Sequence, residues 1–328
     1  HVPAFSRDGR IYIPGYLGVF IDSISKYYEE IILFLHSPRE NEIEQVTYKI
    51  KSKNIKLIDL GIHSSIPKRY VNFFKYAKIF KQNESELDLI IIRAGTPLLP
   101  LINFFCKTPL VLFLVSNATE GLDNLPQPDF RLFLIKLWAK WYQRAENRIA
   151  SRNLTIVNSS KIYEGLKSKV DHLFLTKTTT LKTKDFYFRN DTCKNKTIRL
   201  LFAGRITENK GLLDIIRSMA ILKDKGYNLH LDLVGMVDGT DDIFTKMESL
   251  SLDLNLNNSY TYHGFKNVGN ELFEFYRRAD IFVNASKGSA EGFPRTLWEA
   301  MASCAPVVST SVSSIPKYIG GASSLAEP

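Results

Sequence analysis

Short apolar runs alternate with longer amphipathic stretches along nearly the whole chain. In the first half, Glu30–Leu35, Lys56–Leu60, Leu87–Ile92, Leu110–Val115 and Leu154–Asn158 are rich in Ile, Leu and Val, without clean apolar–polar alternation. That pattern belongs to strands covered on both faces, as in parallel sheets. Between them, Gly18–Tyr28, Lys68–Gln82, Phe130–Ser151 and Lys161–Lys169 read as helices. A polar stretch rich in Thr, Lys and Asn, residues 176–196, reads as a linker. The pattern then restarts. Strands are predicted over Ile198–Ala203, Asn228–Val234, Ser259–Tyr262, Asp280–Asn284 and Pro306–Ser309. Helices are predicted over Leu212–Asp224, Asp242–Leu254, Glu271–Arg278 and Thr296–Ser303. Repeated strand–helix units predict doubly wound parallel sheets, and the restart predicts two α/β domains, residues 1–190 and 191–328. Ligands in such domains sit beyond the carboxyl ends of strands, so chemistry is sought in the loops that follow them.

Composition narrows the class. With 328 residues, 45% hydrophobic and 23% charged, the chain is neither disordered nor collagen-like. The longest apolar runs, around 98–106 and 110–115, fall short of the roughly 18–20 residues that cross a bilayer. The three cysteines, Cys106, Cys193 and Cys304, lack metal-ligand spacing and suit a reduced, cytoplasmic setting.

Charge is more telling. The net charge of +9 lies entirely in the first part: residues 1–195 hold 29 Lys and Arg against 19 Asp and Glu, and the remainder holds 14 against 15. Much of the surplus falls in two helical stretches, 68–81 and 129–144. In the second, Phe130, Phe133, Leu134, Leu137, Trp138, Trp141 and Tyr142 recur at helical spacing, with Lys136, Lys140 and Arg144 expected on the other side. A stripe packed into a core explains either helix alone. The two together, in the half with all the surplus charge, make an anionic membrane surface an expected partner. No zinc, helix-turn-helix or aromatic RNA motif supports a nucleic-acid partner.

Two loops carry the candidate chemistry. After the strand Ile198–Ala203, Gly204 permits a tight turn, Arg205 and Lys210 supply two cations, and Gly211 opens a helix whose first amides favour an anion. Alternatively this is an ordinary strand–turn–helix with surface cations. After the strand Asp280–Asn284 comes a small-residue loop and then EGFPRTLWEAMA over 291–302. Gly292 and Pro294 hold Glu291 in a turn, Thr296 begins a helix, and Glu299 follows one turn in. Backbone donors for phosphate beside a carboxylate for vicinal hydroxyls suit a nucleoside diphosphate. The plainer alternatives are a carboxylate complementing the helix dipole for Glu299 and an exposed loop acid for Glu291. Asp238, Asp241 and Asp242 resemble a metal cluster only superficially, since Asp242 also suits a helix start.

The second half resembles the donor domain of retaining glycosyltransferases of family 4, which have the GT-B fold. GRITENKG (204–211), LVG (233–235), HGF (263–265), ADIFVNAS (279–286) and EGFPRTLWEAMASCAPVVST (291–310) carry that resemblance, over nearly all of 198–320. It implies two Rossmann-like domains facing a cleft and transfer of a sugar from a UDP- or GDP-sugar to a glycan or lipid-linked acceptor. The context it implies is bacterial surface polysaccharide synthesis, in the cytoplasm or on the inner face of the membrane, with no metal or other cofactor. On matching positions, Arg205 and Lys210 would stabilise the leaving diphosphate, Glu299 would hold the ribose and Glu291 would face the transferred sugar. The Thr296 and Leu297 amides would contact phosphate, and the backbone near Gly264, Phe265 and Lys266 would meet the base. Gly204, Ser286, Gly292 and Phe293 would complete the donor pocket. Pro14–Gly18 looks like the glycine loop after a first strand lying before His1, which gives Gly15 and Gly18 a phosphate or acceptor role. Asn117 stands where the family often presents a histidine near the acceptor. The resemblance also implies a closing helix beyond Pro328. Cys304 replaces the usual glycine before A-P-V, and Ser313, Ser314 and Lys317 replace usual glycines and an acid. A sugar-nucleotide epimerase of the same plan and a non-catalytic degenerate scaffold are the competing readings; the Glu291–Glu299 pair argues against the second.

Overall fold

The computed structural model describes the chain except residues 1, 94, 116, 120, 121, 123–126, 178, 190, 191, 238–241, 288–292, 313, 320, 322 and 328, and the side chain of residue 41. The first part opens with an antiparallel hairpin, β1 (Phe5–Arg7) and β2 (Arg10–Ile13), turned by Asp8 and Gly9 at positive φ. Helix α1 (Gly15–Ile24) follows, then β3 (Ile31–Ser37), β4 (Tyr48–Lys49), which pairs with β2, and β5 (Ile55–Ile62), parallel to β3. Helices α2 (Ile66–Val71) and α3 (Phe73–Asn83) precede β6 (Ile90–Arg93), α4 (Leu99–Phe105), β7 (Leu110–Leu114), α5 (Asp129–Ala150), β8 (Leu154–Val157), α6 (Ser160–Leu166) and β9 (Leu173–Leu175). Strands β6 to β9 form one parallel sheet in sequential order. The first half therefore carries two parallel sheets rather than one. Residues 2–4 lie beside β3, where Pro3 bridges to His36 in parallel and the Ala4 amide donates to the His36 carbonyl at 2.9 Å. That single bridge does not join β3 to β6.

The second part is one parallel six-stranded sheet in the order β12–β11–β10–β13–β14–β15. Its elements are β10 (Thr197–Ala203), α7 (Leu212–Asp224), β11 (Asn228–Val234), α8 (Ile243–Asp253), β12 (Tyr260–Tyr262), α9 (Asn270–Arg278), β13 (Ile281–Asn284), α10 (Arg295–Ala302), β14 (Val307–Thr310), α11 (Ile315–Ile319) and β15 (Ser324–Ala326). The sheet is covered on both faces, which is why its strands lack alternation. One buried cluster joins Leu200, Phe202 and Leu231 to α7 and α8; the other joins Leu201, Phe282 and Val307 to α9, α10 and α11. Strand order reverses between β10 and β13, which sets their trailing loops side by side.

Two expectations change, and one apolar run gains an assignment. The helix expected over 68–82 is two helices, with Asn72 at φ −81°, ψ 5° between them. The run at 98–106 is a helix opened by Pro100, which costs nothing where the amide has no intrahelical partner. The linker is not loose in its second half: the Arg189 guanidinium donates to the carbonyls of Cys304, Arg277 and Ala279 at 3.2, 2.8 and 2.6 Å. It thereby caps the end of α9 and pins the linker to the second sheet's helices.

Candidate active site

The loops after β10, β11 and β12 are zipped together by backbone contacts. Gly204 has φ +154° and its amide donates to the Val234 carbonyl at 2.9 Å. Gly235 has φ +149°, and a Cβ there would lie 1.6 Å from the Gly204 carbonyl oxygen, so no side chain fits. The Gly235 amide in turn donates to the Gly264 carbonyl at 3.0 Å, and Ile206 to Met236 at 2.7 Å. The expected base-binding stretch therefore lies against the loops that carry Gly204 and Gly235. Within it, Gly264 is left-handed at φ +73°, Phe265 is exposed, and Lys266 pairs with Glu271 at 2.9 Å.

The turn that carries Lys210 meets the loop after β13. Residues Glu208–Lys210 form one 3-10 turn, closed by Gly211 at φ +70° ahead of α7. A Cβ on Gly211 would sit 2.0 Å from the Ala285 carbonyl oxygen. Lys287 donates its amide to the Asn209 carbonyl at 2.9 Å, fastening the two loops together. Lys210 is buried at 8% exposure, whereas Arg205 is exposed. Ser286 does not offer its hydroxyl to this space: it donates to Asn284 Oδ1 at 2.9 Å, in a buried network that includes Ser309 and Thr310. Its role is to shape the loop.

Helix α10 starts at Arg295, one residue before the position expected, with Pro294 preceding it. Thr296 is half-buried, and the fully buried Leu297 already gives its amide to the Pro294 carbonyl at 3.1 Å. Glu299 lies one turn in and is buried; its Oε2 accepts from the Tyr276 hydroxyl at 2.7 Å. Burial raises its carboxyl above the ordinary range, while the Tyr276 bond and the Arg295 charge pull the other way. Phe293 packs against Trp298, centroids 4.4 Å apart, and edge-on to Tyr318, so it belongs to an aromatic cluster under the helix start. Glu291 and Gly292 lie outside the described residues, as do Asp238 and Asp241. Asp242 precedes α8 as expected, and its carboxylate pairs with Lys246 at 3.1 Å.

The first half reaches this site through α1. Gly15 and Gly18 lie within α1's first turn, not in a loop before it. A Cβ on Gly18 would strike the Tyr48 ring at 2.2 Å, so its glycine serves the packing of β4. Gly15 faces Val268 of the second half, 3.9 Å from where its Cβ would stand. Between them, the Tyr16 ring lies under the Arg295 guanidinium at 4.5 Å, with Arg93 on the same ring at 5.9 Å. Tyr16 lies within Pro14–Gly18 and Arg295 within EGFPRTLWEAMA, but neither segment gives its residue a role by itself, because the contact joins distant parts of the chain. Gln45 donates to Met236 Sδ at 3.1 Å, and Thr47 bonds Asn267. Asn117 spends its carbonyl on the Thr119 amide and hydroxyl at 3.0 and 2.8 Å, which turns its own loop.

Comparison with known proteins gives these loops a family. The family model described as glycosyl transferases group 1 matches residues 183–324. The amylovoran biosynthesis glycosyltransferase AmsK of Erwinia amylovora is 33% identical over 129 residues, 38% of this chain and 30% of that protein. The capsular polysaccharide biosynthesis glycosyltransferase CapM of Staphylococcus aureus is 26% identical over 237 residues, 68% of this chain and 58% of that one. The matched regions thus span 30% and 58% of these two relatives, less than two thirds of either. Among solved structures, HepE from Anabaena in complex with UDP and glucose superposes with a TM-score of 0.70 at 17% identity, over 96% of this chain and 82% of that one. WaaG, a glycosyltransferase involved in lipopolysaccharide biosynthesis, gives 0.69 at 16%, over 96% and 83%. The chain has the GT-B fold, and its residues 183–324 are a domain of the glycosyl transferases group 1 family.

Proposed function

We propose that the chain transfers a sugar from a nucleoside-diphosphate donor to an acceptor hydroxyl with retention of anomeric configuration, the acceptor being a glycan or lipid-linked intermediate of surface polysaccharide synthesis. The observation that carries this reading is the seam between the Asn209–Gly211 turn and the Ala285–Lys287 loop, which sets Lys210 beside the segment that leads to α10 and Glu299. HepE was solved with UDP and glucose, and both curated relatives are named for polysaccharide synthesis, which supports the donor and acceptor classes assigned here.

In this reaction the bond between the anomeric carbon and the diphosphate oxygen breaks, and the acceptor oxygen forms the new bond. Negative charge grows on the leaving phosphate, which takes the proton from the acceptor hydroxyl. Lys210, held in place by burial, and the exposed fork of Arg205 are suited to that growing charge. The α10 amino terminus adds partial positive charge to the same side of the sheet. Glu299 accepts from the ribose hydroxyls, with Tyr276 orienting it from behind. Glu291 is assigned to the transferred sugar by the family resemblance alone. Closure of α1 onto α10 through Tyr16 and Arg295 excludes water, which would otherwise hydrolyse the donor.

A thermal-shift series with UDP-, GDP- and ADP-sugars tests the donor class. One of them should raise the unfolding midpoint, since saturation at 100 times Kd adds about 2.7 kcal/mol. Release of free nucleoside diphosphate should then require an acceptor. A series in which no nucleotide sugar shifts the midpoint refutes the reading, and conversion of the sugar without acceptor would restore the epimerase.

A further inference from the structure

The carboxyl ends of β3 and β5 gather cations on the first domain. His36 is the penultimate residue of β3, Arg39 follows that strand by two positions, and His63 comes directly after β5. Because β3 and β5 are parallel, these residues share the edge at which α/β sheets take ligands. Arg69 reaches the same place from α2: its Nε donates to the Ser64 carbonyl at 2.8 Å, and a terminal nitrogen meets His63 Nε2. Arg39 Nε donates to the His63 carbonyl at 3.1 Å. The Lys75 ammonium lies 4.0 Å from where a Cβ of Gly61 would stand.

The acids of this edge are engaged elsewhere. Asp59 accepts from the Ser37 hydroxyl at 2.6 Å and from the Gly61 amide at 2.8 Å, and Glu42 accepts from the Arg39 amide at 2.8 Å. Among the described residues no carboxylate pairs with Arg69. A half-buried guanidinium without one is costly, and burial, the largest influence, weakens its hold on its proton. Burial first, then the charges of Arg69 and Arg39, hold the His63 imidazole down at about 4, which leaves it neutral near neutral pH. The buried Ser64 hydroxyl has no hydrogen-bond partner among the described residues. Cations crowded at a strand end, with their field unanswered, mark a place that an anion would stabilise. That place borders the cleft: the Glu40–Gln45 turn after Arg39 ends on Met236 of the second half, through Gln45 at 3.1 Å.

We infer that Arg69, with Arg39 beside it, holds an oxyanion carried by the acceptor, either a phosphate or a carboxylate. Arg69 spends Nε and one terminal nitrogen on the protein, and the remaining N–H groups of its fork suit an oxyanion, with Arg39 adding charge from the exposed side. That the anion belongs to the acceptor rests on the sugar-transfer reading above; the anion site itself does not.

The test is an NMR titration of the full chain carrying isotope-labelled histidine, with no donor present. The probes are inorganic phosphate, glucuronate and glucose, with sodium chloride at matched ionic strength as the control. The His63 signal is assigned with His63→Gln. An anion beside Arg69 favours the imidazolium, so phosphate or glucuronate should raise the His63 pKa from about 4 in a saturable way, and glucose and chloride should not. Tighter binding of phosphate assigns the anion to a phosphate-linked carrier, and tighter binding of glucuronate to an acidic sugar. Arg69→Gln should weaken the anion about tenfold or more, the usual loss for one charge-assisted hydrogen bond. Arg39→Gln, at an exposed position, should weaken it too, and it decides the matter if the chain does not fold without Arg69. No saturable rise with either anion, an equal rise with chloride, or native affinity in every folded variant overturns the inference. Such a result leaves sugar transfer standing, since no donor takes part. A chain that binds phosphate here but no nucleotide sugar would instead keep the anion site and lose the transferase.

Discussion

A carboxyl buried against a tyrosine is costly unless something repays it on binding. Glu299 has lost most of its water, keeps one bond from Tyr276 and lies within the field of Arg295. Burial dominates, so its affinity for a proton is raised. Accepting from a donor's hydroxyls requires the ionised form, so donor binding should weaken with acid at a higher pH than for an ordinary carboxylate. Lys210 is the complementary case, a cation held in a 3-10 turn by a glycine that admits no side chain. Lys210→Ala is expected to lower turnover by 10²–10³-fold, the usual loss for one preorganised charge-stabilising donor. Glu299→Ala should remove most transfer as well. Steady-state kinetics beside circular dichroism checks both, and near-native turnover in the two folded variants would defeat the assignment.

At the scale of elements, three helices of the second domain end alike, and only two of them say so in their residues. After α7, Gly226 takes φ +89°, with the Tyr227 amide reaching the Leu222 carbonyl and the Gly226 amide reaching Lys223. After α8, Asn255 takes φ +54°, with the equivalent bonds to Ser251 and Leu252. After α10 the left-handed position is Cys304, at φ +50°; its amide reaches Met301 and the Ala305 amide reaches Ala300. Each is a Schellman motif, in which glycine fits without strain. The cysteine in place of a glycine just before A-P-V-V therefore marks a strained helix end. Cys304→Gly should stabilise the chain by up to about 1 kcal/mol, since a left-handed residue with a Cβ costs roughly 1–2 and glycine's extra freedom returns part of it. Urea unfolding checks this. The same contrast explains what was legible. Parallel strands and long helices announced themselves through runs and period, because burial selects side chains directly. The β1–β2 hairpin, with polar Ser6, Arg7 and Arg10, and the two-residue β4 bury too little to leave such a pattern. The Gly204–Lys210 and α10 segments were legible as motifs. Gly235 was legible only as part of one, and the contact of Tyr16 with Arg295, across 279 positions of sequence, was not.

At the scale of the whole molecule, pH pulls the chain in two directions, and one side chain separates them. Glu146 lies on the inner face of α5, 2% exposed, accepting from Gln143 Nε2 at 3.1 Å. Burial pushes its carboxyl up from 4.5 to about 7, more than the bonds from Tyr142 and Gln143 pull it down. Between those values the folded chain holds a proton that the unfolded chain has released. Its contribution to stability is therefore complete below pH 4.5 and is lost as pH rises through 7. His63 acts oppositely: burial first, then Arg69 and Arg39, push it down from 6.5 to about 4. The unfolded chain takes up that proton first, so this contribution is complete above pH 6.5 and fades as pH falls toward 4. The two trends overlap between pH 4.5 and 6.5 and partly cancel in the native chain. Glu146→Gln keeps the shape and removes one of them. Relative to the native chain, the variant should gain about 3 kcal/mol between pH 4.5 and pH 8, taking about 1.4 per pH unit. Urea unfolding followed by tryptophan emission at both values measures it, since Trp138 and Trp141 report on the same helix. A difference that stays constant with pH would mean that Glu146 is ionised in the folded chain, and that Tyr142 and Gln143 suffice to hold its charge.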